Sequence, residues 1–206
     1  MITIAIAKGR LQESALPLLA RAGIRLSEDE LNSRRLALMD ETRKYRFIFV
    51  KPADVPVYVE HGIADCGVVG RDVLLETQAD LLLPLDLTIG RCRIVVAALD
   101  AEAMTKVQGM IRVATKYSQI ASAHFGARGI PVEIIQLSGS VELAPALGLA
   151  DMIVDVVETG RTLRENGLTV IEEIAESTGR LVVNRASYQL KSEEVGRLVS
   201  ALESVL

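Results

Sequence analysis

The sequence predicts an α/β fold with mixed, mostly parallel sheets, and three observations support this. Half of the 206 residues are hydrophobic, a share well above that of disordered chains. Aromatic residues are few, so the core has to be built from Val, Ile, Leu and Ala, which is typical of buried parallel strands covered by helices. Short β-branched runs also alternate with helical patterns from one end of the chain to the other.

The first half of the chain shows this alternation clearly. Isoleucines alternate over residues 2–6 as in a strand, and a helix follows from Gly9-Arg10 to an end near Gly23. Asp54 is predicted to cap a short helix. The other elements predicted here are strands at 45–50, 66–69 and 81–83 and a helix at 72–76.

The second half continues the same pattern. A helix at 118–128 is expected to stop at Gly129. Ser192 is predicted to cap a C-terminal helix that ends at Leu206. The predicted strands are 93–99, 111–114, 132–137, 152–157 and 181–184.

The chain contains no repeat, low-complexity tract or Pro/Gly/Ser-rich linker. Residues 87–91 are the best candidate for a hinge, and a return crossing near 177–179 would match it. We therefore expect two lobes, residues 1–89 plus 179–206 as lobe I and residues 90–178 as lobe II, with a ligand cleft between them. A single doubly wound domain is the alternative.

The distribution of charge favours a small anionic ligand. The net charge is −4, yet residues 1–51 carry ten Lys or Arg against six Asp or Glu. A basic segment on an acidic protein suits a small anion better than a DNA duplex, and the scarcity of aromatic residues argues against nucleic-acid binding by base stacking. Basic side chains that are simply scattered and solvated remain an alternative.

Cysteine spacing and targeting signals agree with a cytoplasmic protein. Cys66 and Cys92 show neither CxxC nor zinc-ligand spacing, which favours reduced thiols. We expect no signal peptide and no membrane association, because no uncharged apolar run approaches the roughly 20 residues of a membrane span.

The segment with the clearest chemistry is DMIVDVVETGRTL, residues 151–163. A buried strand runs into a turn with hydroxyl groups and one glycine, and then into a helical start, so backbone N–H groups are presented to an anion. Gly160 lets the backbone approach a phosphate closely, and Arg161 can add charge-assisted hydrogen bonds. Asp155 and Glu158 suit ribose hydroxyls or Mg²⁺. An ordinary strand-turn-helix capped by Thr is the alternative.

This segment resembles the phosphoribosyl pyrophosphate loop of phosphoribosyltransferases, although here Val156-Val157 separates the two acids. Three further segments narrow the resemblance: AKGRL at 7–11, KPADVP at 51–56 with ADCGVVGRD at 64–72, and LSGSVELAP at 137–145. Together they resemble the short form of the ATP phosphoribosyltransferase of histidine biosynthesis, over nearly the whole chain.

The resemblance implies a two-lobed fold similar to type II periplasmic binding proteins. It also implies the reaction of ATP with phosphoribosyl pyrophosphate, with Mg²⁺, to give N1-(5-phosphoribosyl)-ATP and pyrophosphate. Lobe I would be the nucleotide side. Lobe II would carry the phosphoribosyl pyrophosphate loop.

The resemblance also implies site residues. The residues expected to act in catalysis are Lys8, Arg10, Lys51, Glu142 and Asp155, the last two also as Mg²⁺ ligands. Those expected to bind phosphoribosyl pyrophosphate are Asp155, Glu158, Thr159, Gly160, Arg161 and Thr162. Those expected to bind ATP are Lys8, Gly9, Arg10, Arg34, Arg35, Lys51, Asp65 and Gly67, with Gly70 and Asp72 shaping the nucleotide side.

The chain departs from the family pattern at two positions. Lys51 stands where Arg is more usual, and Lys lacks the bidentate fork of Arg. Ala7 stands where Pro often precedes Lys-Gly-Arg, which affects the turn more than the charge. His61 and His124 are expected to be structural.

Partners and competing functions follow from the same resemblance. Short forms pair with a separate regulatory subunit that resembles a histidyl-tRNA synthetase, so we expect a hetero-oligomer, and a homodimer of this chain alone. The competing functions are a non-catalytic small-anion or nucleotide-binding protein of periplasmic type and a regulatory or scaffold subunit.

Overall fold

The computed structural model describes residues 1–31, 35–106 and 109–206. These residues form two compact units, which we call the first unit (Met1–Gly90 with Thr178–Leu206) and the second unit (Arg91–Ser177). Each unit has one mixed sheet with helices, which confirms the predicted α/β class. Within the described ranges no helix is long and apolar enough to cross a membrane.

The first unit is built on a sheet with the strand order β2-β3-β1-β4-β11-β5. Strands β3, β1 and β4 are parallel, so their carboxyl ends lie at one edge of the sheet. The strands are β1 (Ile2–Ala7), β2 (Ala37–Met39), β3 (Tyr45–Val50), β4 (Cys66–Gly70), β5 (Leu82–Asp86) and β11 (Gly179–Val183). The helices are α1 (Arg10–Arg21), α2 (Glu28–Leu31), α3 (Asp54–Glu60), α4 (Arg71–Thr77), α9 (Arg185–Leu190) and α10 (Ser192–Glu203).

The second unit is built on a sheet with the strand order β10-β6-β9-β7-β8. Strands β8, β7 and β9 are parallel, so they too end at one edge. The strands are β6 (Cys92–Ala98), β7 (Ile111–Thr115), β8 (Val132–Gln136), β9 (Met152–Val157) and β10 (Thr169–Ser177). The helices are α5 (Ala103–Lys106), α6 (Ser118–Gly126), α7 (Leu143–Ala146) and α8 (Arg161–Glu165).

Strand β1 shows how the sequence builds the core of the first unit. Successive side chains of a strand point to opposite faces. Ile2, Ile4 and Ile6 belong to the cluster formed with α1 and α10, whereas Ala5 and Ala7 belong to the cluster on the face that α3 covers. All five are essentially inaccessible to solvent. Large residues on one face and small ones on the other let α3 pack close to the sheet.

The structure corrects two predicted helix caps. Asp54 and Ser192 are the first helical residues of α3 and α10, not their caps, and neither helix has a side-chain cap hydrogen bond. Acidic and hydroxyl side chains are also favoured in the first helical turn, so sequence alone misplaces the cap by one residue. A true cap occurs at Asn184, whose side chain accepts the Ser187 N–H at 2.9 Å.

Several element ends differ from prediction. The C-terminal helix ends at Glu203 rather than Leu206, and α6 ends at Gly126. The predicted strands at 81–83 and 181–184 are shifted in the structure, to Leu82–Asp86 and Gly179–Val183.

The sequence does not predict β2 or β10. Strand β10 lies at an edge and has two register shifts against β6, which interrupt the apolar alternation that marks a strand. Three glutamates of β10 form ion pairs with arginines. Charged side chains on an edge strand discourage its pairing with other chains. The pairs are Arg91–Glu176, Arg93–Glu173 and Arg128–Glu172.

Asp65 anchors the C-terminal helices to the sheet. It is 5% exposed; its Oδ2 accepts the Thr3 N–H at 2.8 Å, and its Oδ1 accepts the Ser187 hydroxyl at 2.7 Å and the Lys191 ammonium at 2.8 Å. Burial alone would raise the pKa of Asp65, but these hydrogen bonds outweigh burial and lower it. Both oxygens are thus used within the chain, and the expected role of Asp65 in binding ATP stays a prediction.

Gly67 allows a helix to pack closely on the sheet. A Cβ added there would lie 2.7 Å from Cγ1 of Val55 and 2.9 Å from Cγ2 of Val59, both on α3. The same added Cβ would lie 3.1 Å from Cγ2 of Val182 on the neighbouring strand. The glycine is needed because α3 packs directly on β4, and its expected role in binding ATP stays a prediction.

We expect Asp65→Asn to lower the free energy of unfolding by about 2 kcal/mol, because the half-buried Lys191 ammonium loses its counter-charge. Urea unfolding at pH 7 measures the change. The difference in unfolding free energy between the variant and the wild type should shrink in acid. The pKa of Asp65 in the folded protein is below its ordinary value of 3.8, so the stabilisation by this carboxylate is complete above pH 3.8 and is lost as the pH falls through the folded pKa. Asp80→Asn, which breaks an exposed pair with Arg185, should cost less than about 0.5 kcal/mol. Equal losses for both variants would contradict the anchoring role.

Candidate functional site

Three loops of the second unit leave the same edge of its sheet. Strands β7, β8 and β9 are parallel and in register, with Thr115 opposite both Gln136 and Val154. Lys116 follows β7, a Gly-Ser loop leading to Glu142 follows β8, and Glu158–Thr162 follow β9. Ligands of α/β proteins characteristically bind at the carboxyl ends of the strands. This edge is therefore the candidate site of the second unit.

The loop from Glu158 to Thr162 is flanked in sequence by two buried residues that anchor it in the core. Val157 precedes it and Leu163 follows it, and both belong to the same apolar cluster, at 5% and 4% exposure. Between them Glu158, Thr159, Arg161 and Thr162 are exposed, and Gly160 has the left-handed backbone angles φ 72° and ψ 11°. Such angles favour glycine. The loop is thus a rigid turn that displays polar groups.

Contacts inside the loop show which groups are already engaged. The N–H of Arg161 donates to Oγ1 of Thr159 at 3.4 Å, and Nη1 of Arg164 donates to the Thr159 carbonyl at 3.1 Å. The guanidinium of Arg161 pairs with Glu165 at 2.7 Å, where both side chains are largely exposed. An exposed pair of this kind is weak, so Arg161 can exchange Glu165 for a ligand. Arg164 is a further cation at the loop that the sequence does not single out.

Asp155 is the most buried carboxylate at this edge. Its side chain is 15% exposed, and strand alternation places it on the same face of β9 as Ile153 and Val157, which belong to one apolar cluster. Burial raises the pKa of Asp155 above its usual range, and the Lys116 ammonium and the Val156 N–H oppose that rise. The carboxylate of Glu142 adds to the rise. The charge of Glu142 thus acts on Asp155, and the expected shared role of the two carboxylates stays a prediction.

Lys116 is a functional candidate that sequence reasoning missed. Its Nζ lies 3.7 Å from Oδ1 of Asp155 and 4.9 Å from the centre of the Tyr117 ring. The buried Thr115 hydroxyl holds the turn, since it donates to the Val154 carbonyl at 2.6 Å and accepts the Tyr117 N–H at 2.8 Å. A lysine directly after a parallel strand and before a helix is the signal that points to this position.

The carboxylates of the second unit are suited to hold Mg²⁺ when a substrate supplies the other ligands. Within the described ranges no group of three or more His, Cys, Asp or Glu could hold a metal ion. Mg²⁺, however, is commonly held by one or two carboxylates together with substrate phosphates. Asp155 and Glu142 supply such a pair.

Several basic residues of the first unit lie at the carboxyl edge of its own sheet. Lys8 follows β1 and Lys51 follows β3, and the two strands are joined where the Lys8 N–H donates to the Val50 carbonyl at 2.8 Å. Arg10 begins α1 after Gly9, which has φ 98°. Continuing the β2–β3 register places Arg35 at the same edge.

The remaining residues predicted on the nucleotide side are only partly placed at this edge. Gly70 precedes α4 as its N-cap and Asp72 lies in the first turn of that helix, next to the end of β4. Arg35 also pairs with Glu30 at 3.8 Å. Arg34 lies outside the described residues.

Each edge, taken by itself, suits a different kind of phosphorylated group. Lysines and arginines at the edge of the first unit attract polyphosphates. The second unit combines a rigid polar loop for one phosphate with two carboxylates that accept hydrogen bonds from sugar hydroxyls.

Comparisons with known proteins agree with this chemistry. The family model described as HisG, ATP phosphoribosyltransferase, matches residues 51–204. The ATP phosphoribosyltransferase of Sorangium cellulosum is 51% identical over 203 residues, which cover 98% of this chain and 95% of that protein. Among solved structures, the ATP phosphoribosyl transferase (HisG:HisZ) complex from Thermotoga maritima has a chain that is 37% identical, with a TM-score of 0.87, and the match covers 100% of this chain and 98% of that one.

A more distant likeness concerns the fold alone. The periplasmic aliphatic sulphonate binding protein SsuA of Escherichia coli is 13% identical, with a TM-score of 0.62, and the match covers 99% of this chain and 72% of that one. The predicted similarity to periplasmic binding proteins is confirmed.

Proposed function

This chain belongs to the ATP phosphoribosyltransferase family, and we propose that it joins the phosphoribosyl group of phosphoribosyl pyrophosphate to N1 of the adenine of ATP. The products are N1-(5-phosphoribosyl)-ATP and pyrophosphate, and the reaction is the first step of histidine biosynthesis. The observation that carries the proposal is the loop Glu158–Thr162, held between buried Val157 and Leu163 with Gly160 at φ 72°.

In this proposal the second unit binds phosphoribosyl pyrophosphate. The exposed side chains and N–H groups of Glu158 to Thr162 hold the 5-phosphate, and Asp155 accepts hydrogen bonds from the ribose. Glu142 acts beside Asp155, with which it interacts electrostatically. Lobe II, residues 90–178, is accordingly the phosphoribosyl pyrophosphate lobe.

The first unit binds ATP and the leaving pyrophosphate. Lys8, Arg10, Arg35 and Lys51 lie at one edge of its sheet, and their charges offset those of the polyphosphates. Lobe I, residues 1–89 plus 179–206, is accordingly the nucleotide lobe. Lys51, where the family more often has Arg, makes a point-charge contact rather than a bidentate one.

The chemistry requires alignment more than covalent catalysis. Pyrophosphate leaves the anomeric carbon as positive charge develops on the ribose, and adenine N1 attacks from the opposite face. Holding both reactants in line supplies a large part of the rate enhancement. The carboxylate of Asp155, kept in place near the sugar, stabilises the developing positive charge.

Mg²⁺ is proposed as a partner of the substrate diphosphate. Asp155 and Glu142 would hold it together with substrate oxygens. Bound there, the ion would neutralise charge on the leaving pyrophosphate.

We further propose that this chain is the short catalytic form and works with a separate regulatory subunit. Its match to the Sorangium cellulosum relative covers nearly all of both proteins, and the Thermotoga maritima structure is described as a HisG:HisZ complex. The partner proposed here resembles a histidyl-tRNA synthetase, the chain alone forms a homodimer, and the assembly acts in the cytoplasm.

Incubation with both substrates and Mg²⁺ tests the reaction, with and without the regulatory partner. We expect an adenine N1 adduct, identified by mass spectrometry, that is converted back to ATP by added pyrophosphate. A folded protein that binds both substrates but forms no adduct under either condition is instead a non-catalytic binding protein of periplasmic type.

We expect Thr159→Ala and Gly160→Ala to raise the Kd for phosphoribosyl pyrophosphate about tenfold and to leave the Kd for ATP within about twofold. The first variant removes a hydroxyl. The second strains the turn and brings a Cβ to 3.1 Å from Nη1 of Arg164. Titration calorimetry measures both dissociation constants.

Gly129→Ala is a matched control, since Gly129 has φ 67° and open space around it. Equal losses for both ligands would contradict this division of the site.

We expect Lys51→Ala and Lys8→Ala to raise the KM for ATP, or to lower kcat, by about fivefold or more, because each removes a charge from the polyphosphate edge. Steady-state kinetics at fixed ionic strength measures this. Lys44→Ala is the control, because Lys44 is exposed and precedes β3 at the end opposite Lys51. Unchanged kinetics in both lysine variants would remove them from the site.

A further inference from the structure

Two ion pairs join β7 and β9 at opposite ends. At the amino ends Nη2 of Arg112 lies 2.7 Å from Oδ1 of Asp151. At the carboxyl ends, four residues further along each segment, Nζ of Lys116 lies 3.7 Å from Oδ1 of Asp155. The two cations are similarly exposed, at 40% for Arg112 and 45% for Lys116. The pairs can therefore be compared directly.

In the ion pair at the amino ends, both partners make several hydrogen bonds within the chain. Asp151 accepts the backbone N–H of Arg112 at 2.8 Å as well as its guanidinium, and Nη1 of Arg112 donates to the Gly148 carbonyl at 2.9 Å. Both oxygens of the carboxylate are used, since Nε of Arg112 lies 3.3 Å from Oδ2. This pair has the geometry of a structural contact.

The pair at the carboxyl ends is incomplete. At 3.7 Å the Lys116–Asp155 contact is longer than a hydrogen bond. Oδ1 of Asp155 also accepts the Val156 N–H at 2.8 Å. In the part of the chain that the structure describes, Oδ2 of Asp155 has no hydrogen-bond partner. Asp155 is thus held at one oxygen and open at the other.

We propose that Lys116 is a positioning residue of the phosphoribosyl site, which holds Oδ1 of Asp155 so that Oδ2 is presented to the ribose hydroxyls. A carboxylate oxygen fixed in this way accepts hydrogen bonds from hydroxyl groups without first reorganising. The carboxylate of Glu142 also acts on Asp155, and two neighbouring negative charges favour hydroxyl donors over an anionic group such as a diphosphate. The inference rests on the proposed function and deepens it by naming what orients the sugar.

Binding of ribose 5-phosphate without Mg²⁺ tests the proposal, because this probe has the hydroxyls and the phosphate but no diphosphate. Calorimetry compares the wild type with Lys116→Met, Lys116→Arg, Asp155→Asn and the double variant Lys116→Met/Asp155→Asn. We expect Lys116→Met to raise the Kd about tenfold, and Lys116→Arg to stay within about threefold of wild type. The double variant should be no weaker than Asp155→Asn alone, since Lys116 acts through Asp155.

Arg112→Met is the matched control. It removes the other cation from the same two strands, and a merely structural role predicts similar behaviour for both variants. We expect Arg112→Met to lower the unfolding midpoint in urea at least as much as Lys116→Met does, while ribose 5-phosphate binds as tightly as to the wild type.

Any one of the following results would overturn the proposal. One is a loss in Lys116→Met confined to binding of inorganic pyrophosphate, which would assign Lys116 to the leaving group. Another is a double variant weaker than Asp155→Asn by the full Lys116→Met factor, which would mean that Lys116 contacts the sugar phosphate directly. The third is unchanged binding in Lys116→Met, or a wild type that forms the N1 adduct but does not bind ribose 5-phosphate. A wild type that neither binds phosphoribosyl pyrophosphate nor forms the adduct would instead refute the proposed function.

Discussion

Parallel pairing of strands is the constraint on which both candidate surfaces depend. Hydrogen bonds between β7, β8 and β9 place Thr115 opposite Gln136 and Val154, so three loops far apart in sequence leave the sheet together. The same pairing of β1 with β3 places Lys8 beside the end of β3. Antiparallel pairing would have sent successive loops to opposite edges. The positions of the charged groups therefore follow from the backbone register and not from contacts among the side chains themselves.

Burial then decides which polar groups are available to a ligand. Asp65 and Asp155 are both carboxylates near the end of a strand, but their surroundings differ. Asp65 is enclosed by an amide, a hydroxyl and an ammonium, and its pKa is lowered. Asp155 is partly enclosed and, among the described residues, accepts one hydrogen bond, from the Val156 N–H, and burial raises its pKa. The first carboxylate is part of the framework that holds α9 and α10, whereas the second retains unused hydrogen-bonding capacity at the candidate site.

Prediction from sequence succeeded where the pattern is local. Isoleucine alternation identified β1, and the loop 158–162 was recognised from a strand, a glycine and hydroxyl residues in sequence, with the glycine at the expected left-handed angles. It did not reach surroundings that are set by distant contacts. Asp65 and Gly67 stand in a segment typical of the family, yet their environment is set by Ser187, Lys191 and α3. Lys116 was missed because its partner lies 39 positions away on a neighbouring strand.

The sequence by itself determined the α/β class, most of the strands, the polar loop after β9 and the basic character of the first 51 residues. These depend on the periodicity, size and charge of nearby residues, which a linear pattern records. The tertiary structure alone decided which carboxylates are enclosed, which glycine makes room for a helix and which lysine lies beside Asp155. The reason is physical: solvation and pairing of a charged group depend on atoms brought together by strand register and helix packing, and these contacts have no fixed spacing along the chain.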